Sequence, residues 1–267
     1  MPSVEVTALA LRRLVIERSV AAGVGHISSA LCICDIMAVL FRSVLRDVGS
    51  RRPDRDRFIL SKGHAALALY SSLFLRGVLS REQFDGYCVD GALLGVHPEH
   101  GIPGVEVSTG SLGLGLSIGA GMALSAKLRG QTWRTCVLLS DAECNEGMVW
   151  EAVMFAAHHR LSNLLAVVDD NGMQALGPTR DVLDLQPLEE RWRAFGWDAC
   201  TVDGHDEQAL EAALAPAPAG GPPRVVIART IAAKGVPFME RKLEWHYLPL
   251  SREQGAEALR ELERGAP

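Results

Sequence analysis

Two apolar runs that stop abruptly in polar clusters constrain this chain more than any other feature. Cys136-Val137-Leu138-Leu139 leads into Ser140-Asp141-Ala142-Glu143-Cys144-Asn145-Glu146-Gly147, and Leu164-Leu165-Ala166-Val167-Val168 leads towards Asp170-Asn171-Gly172. Short continuous apolar runs bounded by turn residues read as strands buried on both faces. In a parallel α/β sheet, ligands bind at the carboxyl ends of such strands. Asp141 and Asn171, one at each end, make an oxygen-only site that suits Mg²⁺ or Ca²⁺ bridging to a phosphate rather than zinc or iron. A helix cap at Asp141 and a plain turn at Asp170-Asn171-Gly172 explain each cluster singly. Their occurrence together favours a site.

Strand-like and helix-like segments alternate along the rest of the chain, the pattern of an α/β fold with a mostly parallel sheet and helices on both faces. Helices are expected from Thr7 to Ala22, from Ser29 to about Leu45 with Ser28 or Ser29 placed to cap it, and from Ala65 to Arg76 with Gly77 to end it. Arg57-Phe58-Ile59-Leu60 reads as a strand, and Ser80 to Val107 as a loop region with one short helix. An alanine-rich helix ends near Gly130, and another opens at Glu146-Gly147 and runs over Met148–His159. Beyond a polar loop, Gly177 to Leu185, come a helix at Leu188–Phe195, a strand at Ala199–Val202, a helix at Glu207–Leu214 and a last strand at Arg224–Arg229. The Pro/Gly/Ala stretch Ala215–Pro223 lies inside this alternation and reads as a surface loop. No repeat or domain boundary interrupts residues 1–267, which are taken as one domain.

A hydrophobic fraction of 48% supplies a core, and a net charge of −5 excludes a nucleic-acid surface. Stretches such as Ala65–Phe74 are too short to span a bilayer, and Met1-Pro2-Ser3-Val4-Glu5 lacks a secretory pattern, so the expected location is cytoplasmic, with no membrane partner. The six cysteines contain no CxxC pair, which argues for small reduced core residues; Cys144, inside the polar cluster, is expected to be partly exposed.

Four histidines stand at element ends or in loops: His26 after Gly25, His64 in Ser61-Lys62-Gly63-His64, His97 before Pro98-Glu99, and His246 after Glu244-Trp245. Each alone is an ordinary loop histidine; together they are able to converge on an anionic ligand as donors and proton carriers. Glu146 at a helix start is explained by the helix dipole or by a partner acid whose proton it helps to hold. The glycines from Gly110 to Gly121 allow close backbone approach to a flat ligand, or helix packing through small residues.

In this arrangement the chain resembles the N-terminal, diphosphate-binding half of transketolase. That family's Gly-Asp-Gly…Asn motif stands here as Ser140-Asp141-Ala142…Asn171. Gly25-His26, Leu60–His64, His97-Pro98-Glu99, Pro103–Gly113, Lys234–Glu240 and Glu244-Trp245-His246 follow the family order across essentially the whole chain. The resemblance implies thiamine diphosphate held through Mg²⁺, with Ca²⁺ or Mn²⁺ as substitutes. Asp141, Asn171 and the backbone carbonyl of Met173 would be the metal ligands. It places His64 and His246 beside the diphosphate with Ala142, and Gly110, Ser111 and Leu112 beside the aminopyrimidine ring. His26 and His97 would line the reaction channel, and Glu146 would couple to a glutamate of a partner. The implied activity is transfer of a two-carbon ketol unit from a ketose to an aldehyde.

Three departures qualify the resemblance. Both glycines flanking Asp141 are replaced, Ile27-Ser28-Ser29 takes the place of the usual Gly-Pro or Gly-Gly, and no pyrimidine-binding domain follows His246. The chain therefore looks like the first subunit of a split transketolase that works as an α2β2 assembly with a separately encoded pyrimidine-binding chain. The α subunit of a thiamine-dependent 2-oxoacid decarboxylase or acyloin-forming enzyme, and a non-catalytic cofactor-binding subunit, are the alternatives.

Overall fold

The apolar runs form one parallel sheet. The computed structural model describes residues 5–265; Met1–Val4, read above for a leader, lie outside them. The strands are β1 (Arg57–Leu60), β2 (Thr135–Ser140), β3 (Leu164–Asp170), β6 (Asp198–Asp203) and β7 (Arg224–Arg229), in the order β1-β2-β3-β7-β6; β4 (Met173–Gln174) and β5 (Gly177–Pro178) form a separate small hairpin. All pairings within the five-stranded sheet are parallel.

Side-chain alternation explains why helices cover both faces. Leu138, Val167 and Val226 point into a core built with Leu11, Val15, Ile36, Met37 and Phe58. Val137, Leu139, Ala166, Val168 and Ile227 point the other way, onto Leu116, Ala120, Val149 and Val153. The helices Ala8–Ala22 and Ala66–Leu75 belong to the first layer, and Leu114–Leu128 and Gly147–His158 to the second.

Three elements differ from expectation. The helix expected from Ser29 is broken into Ile27–Leu31, Cys34–Val39 and a π-helical turn at Leu40–Val44. Ser28 and Ser29 are buried within its first piece and do not cap it; His26 occupies the cap position, with a left-handed φ of 60° and no capping bond. Residues 27–41 are buried throughout, so tertiary packing sets the breaks. The polar loop at Gly177–Leu185 contains β5 and a helical turn, Thr179–Leu183. A further helix, Arg252–Arg264, follows the last strand and starts with a capping box between Ser251 and Gln254. It packs so closely on the first helix that a Cβ at Gly255 would sit 2.5 Å from Val20. Among the described residues, no helix is long and apolar enough to cross a membrane.

Candidate functional site

Strand register puts the two polar clusters side by side. Ser140 pairs with Asp169, and the Asp141 amide continues the ladder by donating to the Asp169 carbonyl at 3.0 Å. The Asp141 carboxylate is buried, 3% exposed. It accepts from the backbone of Ala142 at 2.9 Å and Gly172 at 3.1 Å, and from the Thr179 hydroxyl at 2.7 Å. Burial, with the neighbouring charges of Asp169 and Asp170, nonetheless pushes its pKa up to about 7. A cation beside Asp141 reverses that balance by favouring the charged form. The Asn171 amide nitrogen donates to Asp169 at 2.8 Å and its oxygen accepts from the Met173 amide at 2.9 Å, so the side chain has a fixed sense.

Asp169 is the hub beneath. It is fully buried and takes the Lys62 ammonium at 2.5 Å, the Cys32 thiol at 3.1 Å and the Thr230 hydroxyl. Burial works against the carboxylate, yet Lys62 holds its pKa below the usual range. Burial likewise works against the Lys62 ammonium, but Asp169 raises its pKa. Both ions stay charged because each is the other's counter-ion.

Above this floor lies a cavity of about 670 Å³. His26, His64, His97, Gly110, Leu112, Ala142, Glu146, Asn171, Met173 and His246, each expected from sequence, line it. The rings of His26, His64 and His246 form a triangle with 5.7 Å between centroids on every side. His97 packs against Gly110, where a Cβ would lie 3.3 Å from its ring. The triangle depends on Gly25, because a Cβ there would meet the Tyr247 carbonyl oxygen at 1.9 Å. Burial lowers the pKa of all three, aided by Lys62 at His64, by His26 at His246 and by His97 at His26; His64 falls to about 2 and His246 to about 4. All are neutral imidazoles at neutral pH.

Two expected residues fall outside this lining. Ser111 is exposed beside it, and Asp141 opens instead onto an adjoining cavity of about 500 Å³ that shares Asn171. Glu146 reaches the cavity but is exposed to solvent at the start of the helix Gly147–His158. A second carboxylate buried at this strand end, beside Asp141, is Glu143, which accepts from the Ser61 hydroxyl and, at 2.9 Å each, from the Gly113 and Ser140 amides. It ties the end of β1, the glycine segment and the end of β2 together. Sequence reasoning gave no role to Glu143, Lys62 or Asp169, because only burial distinguishes them from solvated charges. Cys144 is fully buried rather than partly exposed, and burial drives its pKa far up.

The donor set fits a ligand that carries several hydrogen-bonding groups. His26 Nδ1, Asn145 Oδ1 and Gln174 Nε2 are buried with no partner, and all three residues line the cavity. Unpaired buried polar atoms are costly, and a ligand rich in hydrogen-bonding groups satisfies them.

Comparison with known proteins shows the family. Residues 4–263 match the family described as transketolase, thiamine diphosphate binding domain. The chain is 38% identical over 258 residues to the 6-deoxy-6-sulfo-D-fructose transketolase subunit SqwG of Clostridium sp. (strain MSTE9), covering 95% of this chain and 94% of that protein. It is 37% identical over 255 residues to an apulose-4-phosphate transketolase subunit of Phocaeicola vulgatus, covering 94% and 90%. The crystal structure of transketolase from Campylobacter jejuni superposes with a TM-score of 0.88 at 28% identity, over 97% of this chain and 42% of that one.

Proposed function

We propose, from the premise that this chain belongs to the transketolase family as its thiamine diphosphate binding domain, that it is the diphosphate- and Mg²⁺-binding subunit of a two-component transketolase. It transfers a two-carbon ketol unit from a ketose to an aldehyde acceptor. Near-full-length similarity to two proteins named as transketolase subunits supports the two-component form. The pyrimidine-binding and C-terminal domains then reside on a partner chain, in an α2β2 assembly, and the six unpaired cysteines suit a reducing cytoplasm.

The observation that carries the reading is the convergence of Asn171, Met173, the triangle of His26, His64 and His246, and the unpaired polar atoms of Asn145 and Gln174 on one cavity at the carboxyl edge of the sheet. When bound, thiamine diphosphate supplies the stabilised carbanion chemistry that breaks and remakes the C–C bond. Asp141, Asn171 and the Met173 carbonyl would hold Mg²⁺, which would offset the charge of the diphosphate. His64 and His246 each give one N–H donor on that side; Lys62, already neutralised by Asp169, sets the floor without adding free charge. His26 and His97 would serve the reaction channel, carrying protons to and from substrate oxygens. Glu146, open to solvent, faces the partner's glutamate across the subunit contact.

The test is reconstitution with the cognate pyrimidine-domain chain, thiamine diphosphate and Mg²⁺, followed by an assay of two-carbon transfer. Turnover of a ketose donor is the expected result. Carbon dioxide release from 2-oxoacids without ketol transfer, or no Mg²⁺-dependent cofactor uptake, would overturn the assignment.

A further inference from the structure

The geometry points to Tyr247 as a positioning residue that latches the β4–β5 hairpin over the cavity and so holds Met173 and Gln174 at the ligand. The latch rests on the cavity being the cofactor site proposed above. Each strand of the hairpin is two residues long, and so short a ribbon has little stability of its own. Its base is held by the Met173 amide on Asn171 and the Thr179 amide on the Gly172 carbonyl, both at 2.9 Å. Its tip, Ala175-Leu176, is exposed, with Leu176 at 80%. What ties the tip to the body is the Tyr247 hydroxyl, which donates to the Ala175 carbonyl at 2.5 Å. No other side chain among the described residues hydrogen-bonds to Ala175 or Leu176.

The far end of the tie is rigid. The backbone of Tyr247 is pressed onto Gly25, and its ring stands edge-on to His246 at 5.2 Å and to His26 at 6.1 Å. Tyr247 therefore couples the histidine triangle on one wall to the hairpin on the other. The ring itself is half exposed, at 49%, so removing its hydroxyl leaves the core packing in place. With the bond made, Gln174 is buried with its amide nitrogen unpaired in the cavity. With it broken, the short ribbon is free to swing out and carry Gln174 and the Met173 carbonyl away.

Tyr247→Phe removes the hydroxyl and keeps the ring. Losing one such hydrogen bond shifts a closed–open equilibrium roughly two- to tenfold. Hydrogen exchange of amides 174–177 in the free chain should accelerate by that factor while the thermal midpoint holds. Calorimetry on the chain with its partner, thiamine diphosphate and Mg²⁺ should show affinity weakened by a similar factor. Wild-type exchange in the variant, faster exchange throughout the chain with a lowered midpoint, or unchanged cofactor affinity would each overturn the latch. If the unsubstituted complex takes up no thiamine diphosphate but the variant still loosens residues 174–177, the latch stands and the cofactor assignment falls.

Discussion

Neutralising either member of the Lys62–Asp169 pair should strongly destabilise this protein, and neutralising both should do much less. The two side chains are 1% and 0% exposed and lie 2.5 Å apart. At an effective dielectric of ~20, that attraction is about 6–7 kcal/mol. Desolvating the two ions costs several kcal/mol each, so the pair as a whole adds little net stability. Lys62→Met leaves a buried carboxylate without its counter-ion, and Asp169→Asn leaves a buried ammonium; each should cost ~3–5 kcal/mol, against a total of ~5–15 for a typical fold. The double variant strands no charge and keeps an acceptor for Thr230, so its loss should fall well short of the sum. Urea unfolding of the four proteins yields the cycle directly. Asp169→Asn also releases the Asn171 amide from its 2.8 Å anchor, and loss of such a ligand-orienting contact weakens metal affinity by about 10- to 100-fold. Single variants that each cost less than ~1 kcal/mol and add linearly would refute the account of this ion pair.

Acidification should destabilise the cofactor-free chain through His64 and His246. Their folded pKa values, about 2 and about 4, lie below the ordinary ~6.5. The unfolded chain therefore binds more protons in between, and stability falls as pH drops from 6.5 towards 4; the urea midpoint at pH 7 and pH 5 checks this, and His246→Gln should flatten the slope. Gly25→Ala should cost ~1–3 kcal/mol, because the added carbon meets the Tyr247 carbonyl oxygen at 1.9 Å; an unchanged thermal midpoint would contradict the close approach. Asp141→Asn should abolish Mg²⁺-dependent cofactor retention in the reconstituted complex while Thr179 and Gly172 keep an acceptor, and calorimetry that finds wild-type affinity would remove Asp141 from the metal site.

The strand ends were legible because buried parallel strands write themselves as unbroken apolar runs, as in Cys136–Leu139 and Leu164–Val168. The cavity histidines were legible because none falls inside an apolar-periodic helix; His64 and His246 sit in single 3-10 turns, Gly63–Ala65 and Leu243–His246, and His26 at a helix start. Glu143 and Lys62 were not, since a carboxylate or ammonium carries the same letter whether solvated or buried; what separates them is a partner supplied from far along the chain, Ser61 for one and Asp169 for the other. Ser28 and Ser29 resemble caps by type, but packing on every side of residues 27–41 overrides local capping preference. The helix Arg252–Arg264 announces itself through the Ser251–Gln254 spacing and lies beyond the elements expected from alternation. Tyr247 carried no signal, because its role comes from a carbonyl 72 positions away.

The pairing of Ser140 with Asp169 also bears on which length changes this protein tolerates. Adding or deleting one residue in β2 or β3 moves the groups beyond it by about 3.3 Å and turns them to the opposite side of the sheet. Length changes are better placed in surface stretches such as 215–222, which no strand pairing constrains, and homologues should differ in length there rather than within Thr135–Ser140 or Leu164–Asp170.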